Sequence, residues 1–213
     1  MNSASDYATR SRSTRNPVLL IHGLSDTTVV FDRMSSYLSG LGWSVYSFNM
    51  IPNNGDLRLD KLAVQVADYV AKSFHPEQPL DVIGFSMGGM VSRYYIQRLG
   101  GIERVQRFIS IAAPNKGTFT GYLSHRLGCM QMRPDSEFIR DLNRDCAMLG
   151  RLNFTVMWTP FDLMIVPANS SQMPVGKEVT LPVRLHSWML ADEQCLKAVV
   201  AALSEPVLAT SCS

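Results

Sequence analysis

Residues 79–89 read Pro79-Leu80-Asp81-Val82-Ile83-Gly84-Phe85-Ser86-Met87-Gly88-Gly89. The run up to Ile83 is short and mostly apolar, as a buried strand is. Beyond Ser86, the residues Met90, Val91, Tyr94 and Tyr95 recur at helical spacing until Leu99-Gly100-Gly101 ends the pattern. The spacing predicts a strand that turns abruptly into a helix at Ser86. Such a turn strains the serine backbone and requires small residues two positions before and two after it, which Gly84 and Gly88 supply. It lifts the hydroxyl above the sheet, beside a helix N-terminus where the Met87 N–H can stabilise negative charge. Ser86 is therefore a candidate nucleophile.

A serine hydroxyl needs a base, ordinarily a histidine oriented by a carboxylate. Of four histidines, His75 precedes Pro76 in a loop, His125 falls in a long insertion, and His22 directly follows the apolar run Val18-Leu19-Leu20-Ile21. His186 follows the β-rich segment 179–185 and precedes a final helix rich in Ala, Val and Leu, so it can reach back over the sheet to Ser86. A serine on such a turn is followed in the chain by its acid and then its histidine. Asp162 fits, because it lies on the loop leaving the apolar strand Asn153-Phe154-Thr155-Val156-Met157-Trp158. Asp135, Glu137, Asp141 and Asp145 fall instead on the solvated face of an amphipathic helix whose buried side is Phe138, Ile139 and Leu142. The loop His22-Gly23-Leu24 offers the second oxyanion donor, the N–H of Leu24, beside that of Met87; His22 would brace this loop.

Short apolar runs at 17–21, 44–48, 79–84, 105–111, 153–158 and 179–185 alternate with helical patterns, among them Val29 to Leu41 and Leu59 to Val70. That alternation implies an α/β architecture: a mainly parallel six-stranded sheet with helices on both faces. One domain over 17–207 is expected, between a disordered N-terminal tail, 1–16, and a short C-terminal tail, 208–213. Residues 115–151 read as a cap-like insertion, in which Thr118 to Met132 could move as a flap and Tyr122, Met130 and Met132 could line an acyl pocket.

With 213 residues, 46% of them hydrophobic and 18% charged, the chain can bury a large core. A net charge of +2 and the lack of a basic-aromatic stripe argue against nucleic acid as a partner. No nucleotide fingerprint, Walker sequence or zinc motif is present, so neither a cofactor nor a metal is expected. The cysteines Cys129, Cys146, Cys195 and Cys212 lack metal-ligand spacing; Cys129 with Cys146 could staple the insertion, although free thiols are the expectation without a secretion signal. A cytoplasmic monomer is expected, in peripheral contact with membranes at most, since no apolar run approaches the roughly 20 residues needed to span a bilayer.

Together, Val18-Leu19-Leu20-Ile21-His22-Gly23-Leu24, Gly84-Phe85-Ser86-Met87-Gly88-Gly89, Asp162-Leu163-Met164-Ile165-Val166-Pro167 and His186 resemble the small bacterial α/β-hydrolase lipases. They are most similar to the cyanobacterial triacylglycerol-lipase-like proteins, over roughly residues 16 to 207. The resemblance implies a minimal α/β-hydrolase with Ser86, Asp162 and His186 as the catalytic triad and Leu24 and Met87 as oxyanion donors. It implies a serine hydrolase that cleaves carboxylic esters of lipids, acylglycerols or polar membrane lipids, through an acyl-enzyme. A soluble-ester or acyl-thioester hydrolase shares these motifs. A non-catalytic ligand receptor could retain the same fold.

Overall fold

The computed structural model describes residues 15–208. The expected N-terminal tail falls outside these residues apart from its last two positions, as do residues 209–213 and Cys212. Those two positions are anchored: the Arg15 guanidinium lies 4.1 Å over the Trp43 ring, and Asn16 donates to Asp81 and Gln106 at 2.9 and 2.7 Å.

Six strands form one parallel sheet: β1 (Val18–Ile21), β2 (Val45–Ser47), β3 (Leu80–Phe85), β4 (Val105–Ile111), β5 (Asn153–Trp158) and β6 (Lys177–Thr180), in the order β2-β1-β3-β4-β5-β6. Every pairing is parallel, so each connection must cross over a face of the sheet. The first four crossovers carry α1 (Asp32–Gly40), α2 (Leu59–Ser73), α3 (Met87–Arg98), and α4 (Leu127–Gln131) with α5 (Glu137–Arg144); the β5–β6 connection has only a 3-10 turn, Ala168–Ser171, and α6 (Glu193–Ser204) follows β6.

Successive strand residues point to opposite faces, and each face has its own core. Leu19, Ile21, Val82, Phe108 and Phe154 pack with α2, α3 and α5; Val18, Leu20, Ile83, Ile109 and Met157 pack with α1 and α6. Helix α2 shows why its sequence folds so. Leu59, Leu62, Ala63, Val66 and Val70 are buried along one stripe, with Asp60 in the first turn and Lys72 in the last complementing the helix dipole. Side-chain caps set two further starts: Ser136 accepts from Ile139 N at the head of α5, and Asp192 accepts from Gln194 N and Cys195 N at the head of α6.

Two sequence expectations shift. The helix expected over 29–41 begins as a 3-10 turn, Thr28–Phe31, before α1. The last strand is Lys177–Thr180 rather than 179–185. Leu181 N still donates to Trp158 O at 2.9 Å, but Pro182 has no N–H to extend the ladder. The chain then leaves the sheet, burying Leu181 and Val183 beneath the edge. Lys177, Glu178 and Thr180 are exposed edge residues, so they lack the apolar signature of an interior strand.

The insertion is structured throughout. A 3-10 turn, Phe119–Leu123, is followed by α4, α5 and another 3-10 segment, Cys146–Arg151. Phe138, Ile139 and Leu142 form the buried face of α5. Gly128 N bonds to Gly55 O at 2.8 Å, and Gln131 accepts from Leu59 N at 2.6 Å and donates to Asp60 at 2.9 Å. These bonds hold the 118–132 stretch, which sequence alone presents as a flap, against the start of α2. Cys129 and Cys146 are free thiols, as is Cys195.

Candidate active site

Ser86 stands between the C-terminal end of β3 and the first residue of α3, with φ 54° and ψ −124°. A non-glycine residue at positive φ is strained and is held only where its surroundings over-determine it. Here Ser86 N donates to Ile111 O of β4 at 2.8 Å, and the flanking glycines allow very close backbone packing. A Cβ at Gly84 would come 2.6 Å from Gly89 Cα, and one at Gly88 would come 2.1 Å from Ile21 O and 2.5 Å from His22 O. The head of α3 therefore sits directly on the end of β1. That contact brings Ser86 and the following N–H, on Met87, up to the β1 loop.

Asp162 and His186 meet on the far side of Ser86. Asp162 is buried; one carboxylate oxygen accepts Met164 N and Ile165 N at 2.8 and 2.9 Å, and the other lies 2.7 Å from His186 Nδ1. With Nδ1 so engaged, Nε2 is the nitrogen available for proton transfer. The imidazole ring also rests against Phe85, the residue before the serine, with ring centroids 4.8 Å apart.

The β1 loop closes the other side. Met50 N donates to His22 Nε2 at 3.0 Å, which puts the ring proton on Nδ1, 2.9 Å from Gly23 O. His22 is fully buried, and desolvation holds its pKa below the usual 6.5, so it is a neutral strut between β1 and the segment after β2. Gly23 allows the loop to approach Ser86: a Cβ there would lie 3.2 Å from Ser86 Cβ and 2.8 Å from Asp26 Oδ2. Leu24 and Asp26 both line the cavity in front of Ser86.

That cavity has a volume of about 430 Å³ and includes Ser86 and His186 in its lining. Of the expected pocket residues, Met132 lines it, while Tyr122 and Met130 do not. Tyr122 is 53% exposed, stacked by Arg133 on the outer surface, and Met130 is 40% exposed on the outward face of α4. The apolar wall comes instead from Phe161, Leu163, Met164 and Ile165, with Leu185 before the histidine. The sequence carried a signal for this wall, since four large apolar residues immediately flank the candidate acid in a loop, where apolar residues have no core to join. Thr118 and Thr120 fasten the wall by donating their hydroxyls to Met164 O at 3.1 and 2.7 Å.

Arg93, absent from the sequence reading, fixes the insertion relative to the site. Its guanidinium is fully buried, donating to Leu142 O and Asn143 Oδ1 at 2.9 Å and to Asn115 at 3.3 Å. Desolvation brings its pKa down to about 10, so it stays charged at neutral pH. Burial pushes the Cys195 thiol up to about 12, which makes it a packing residue rather than a nucleophile.

Solved structures of low sequence identity share this architecture. Aspergillus fumigatus lipase B superposes with a TM-score of 0.73 at 20% identity, over 92% of this chain and 54% of its own, so the present chain spans about half of that protein's length. Mature Bacillus licheniformis lipase BlEst2 gives 0.74 at 10% identity, over 91% of this chain and 94% of that one. Bromoperoxidase from Bacillus anthracis gives 0.65 at 16% identity, covering 90% and 93%. A set that contains both lipases and a bromoperoxidase establishes a shared α/β-hydrolase fold and leaves the chemistry to the site. In sequence, the family model described as palmitoyl protein thioesterase matches residues 17–133, a span from β1 through the Ser86 turn to the end of α4. The chain belongs to the palmitoyl protein thioesterase family.

Proposed function

We propose that this protein is a serine hydrolase that cleaves fatty-acyl esters through an acyl-enzyme. The observation that carries the reading is the shared cavity: a strained serine and a histidine held by a buried carboxylate line one mostly apolar space. In this reading His186 Nε2 takes the Ser86 hydroxyl proton as Oγ attacks the acyl carbonyl. The N–H groups of Leu24 and Met87 receive the developing oxyanion, and His186 returns the proton to the leaving group. Water then repeats the sequence and releases the acid. Asp162 orients the imidazole and stabilises its cation, and the wall from Phe161 to Ile165 takes the acyl chain.

The likeness to lipase-like proteins at Val18 to Leu24 and around Ser86 favours oxygen esters of lipids, acylglycerols or polar membrane lipids. The family match favours acyl thioesters as a second reading, because its described activity is on a thioester. Exposed Leu163, Met164 and Phe161 at the cavity mouth support peripheral contact with a lipid surface, and no helix among the described residues is long and apolar enough to cross a membrane.

The test is labelling by a fluorophosphonate probe, which requires an activated serine. Labelling at Ser86, lost in Ser86→Ala together with ester turnover, is expected. Failure of the folded protein to label would favour a ligand receptor on this fold. Matched oxygen and thio esters of one fatty acid, compared by kcat/KM, separate the two substrate readings.

A further inference from the structure

The sheet order places the Ser86 turn between two different walls. β1 lies on one side of β3, and β4 and β5 lie on the other. The β5 side is apolar, with Phe161, Leu163, Met164 and Ile165; the β1 side presents Leu24 and a carboxylate, Asp26. Asp26 Oδ2 and Ser86 Cβ flank a single point, the position a Cβ on Gly23 would occupy, at 2.8 and 3.2 Å. The Asp26 carboxyl is half-buried, and desolvation raises its pKa, which a hydrogen bond from the Gly23 N–H opposes. No lysine or arginine pairs with it among the described residues. The other formal charge in the lining, Arg184, is solvent-exposed beside Leu185, where water screens it.

We propose that Asp26 is a specificity-determining residue that favours substrates whose leaving group carries a cation and disfavours those carrying an anion. The inference rests on the hydrolase reading, in which the apolar β5 wall holds the acyl chain and so directs the leaving group to the β1 side. A half-buried carboxylate beside the scissile bond acts through a lower effective dielectric than water, and a charge a few ångströms away changes relative rates on the order of tenfold. The same charge disfavours retention of a released carboxylate product.

Three S-butyryl thioesters test this: that of thiocholine, that of 3,3-dimethylbutanethiol, its neutral isostere, and that of 2-mercaptoethanesulfonate. The wild-type protein is expected to show kcat/KM in the order cation, neutral, anion, with about tenfold between the first two and a ratio that shrinks as salt is added. Asp26→Asn is expected to bring that ratio to about one. A wild-type ratio near one, or a ratio unchanged in Asp26→Asn, overturns the proposal. Binding to Ser86→Ala separates the two readings: decyltrimethylammonium and decyl sulfate are titrated calorimetrically below micelle formation. Preference for the cation, lost in Ser86→Ala/Asp26→Asn, supports Asp26 even if none of the thioesters is hydrolysed, in which case the thioester reading fails and fluorophosphonate labelling decides the hydrolase reading. Hydrolysis without charge preference sinks the Asp26 assignment alone.

Discussion

His186 Nδ1 and Asp162 Oδ2 are 2.7 Å apart, while the other oxygen of the same carboxylate accepts two backbone N–H groups from Met164 and Ile165. Asp162 thus holds its own loop and His186 at once. In Asp162→Asn the amide oxygen can keep the loop contacts, but the amide nitrogen then faces Nδ1 and favours the wrong imidazole tautomer. We expect kcat to fall on the order of 10³ to 10⁴-fold with the fold retained, as circular dichroism and stopped-assay kinetics would register. An active Asp162→Asn enzyme would remove Asp162 from the mechanism.

Gly88 tests the packing of the serine turn. Its substitution by alanine puts a methyl group 2.1 Å from Ile21 O, which is backbone and cannot rotate away. Gly88→Ala should destabilise by at least about 1–3 kcal/mol and lower the rate of fluorophosphonate labelling. Gly40→Ala, at a helical position with nothing within 4 Å, is the control and should be neutral or slightly stabilising. Denaturant melts of the two variants would decide the matter.

Arg93 joins α3 to the insertion through Leu142, Asn143 and Asn115. Arg93→Ala leaves a cavity and several carbonyls without donors, so a loss of about 2–5 kcal/mol is expected. Limited proteolysis should then cut first between residues 115 and 151. Uniform loosening of the whole chain would show that Arg93 does not organise the insertion specifically.

His22 gives a pH dependence of stability with a definite sign. Burial lowers its pKa from 6.5, so as the pH falls the unfolded chain binds the proton first. Its contribution is fully present above about pH 6.5 and is lost as the pH drops through the folded value. The melting temperature of the wild type should fall more steeply between pH 7.5 and 5 than that of His22→Gln. Parallel curves would contradict the neutral-strut assignment.

Access to the cavity should need little rearrangement. The 118–132 stretch is tied to Met164, Leu59, Asp60 and Gly55, and Phe161, Leu163 and Met164 already stand exposed at the rim. Hydrolysis of dissolved short-chain esters should therefore proceed readily, with only modest acceleration as substrate concentration crosses its solubility limit. A steep jump at that limit would show that the stretch closes the site in water.

The strands β1 to β5 and the helices α2, α3 and α5 were legible in the sequence, most clearly where side chains face a core on both sides, as in β1 and β3, or along a full stripe, as in α2. The candidate Ser86, Asp162 and His186 were legible because each follows, in chain order, an apolar strand or β-rich segment. What escaped has a common cause. β6 is an edge strand whose residues face water, Arg93 is a charge buried by partners distant in sequence, and Asp26 looks like any turn aspartate until the sheet order puts it beside Ser86. The exposed placement of Tyr122 and Met130 was not legible either, because an amphipathic segment does not say which of its faces meets the cavity.

The loop from Phe161 to Ile165 holds the Asp162 carboxylate by its backbone and walls the cavity with its side chains. On the proposed function, change of substrate range is thereby channelled. Replacing Leu163 or Met164 alters what the cavity admits while the N–H groups that Asp162 requires stay in place, whereas lengthening or shortening the loop would unseat the acid. Relatives that handle different acyl groups should differ here in residue identity at constant loop length, and directed libraries for new substrates belong at those same side chains.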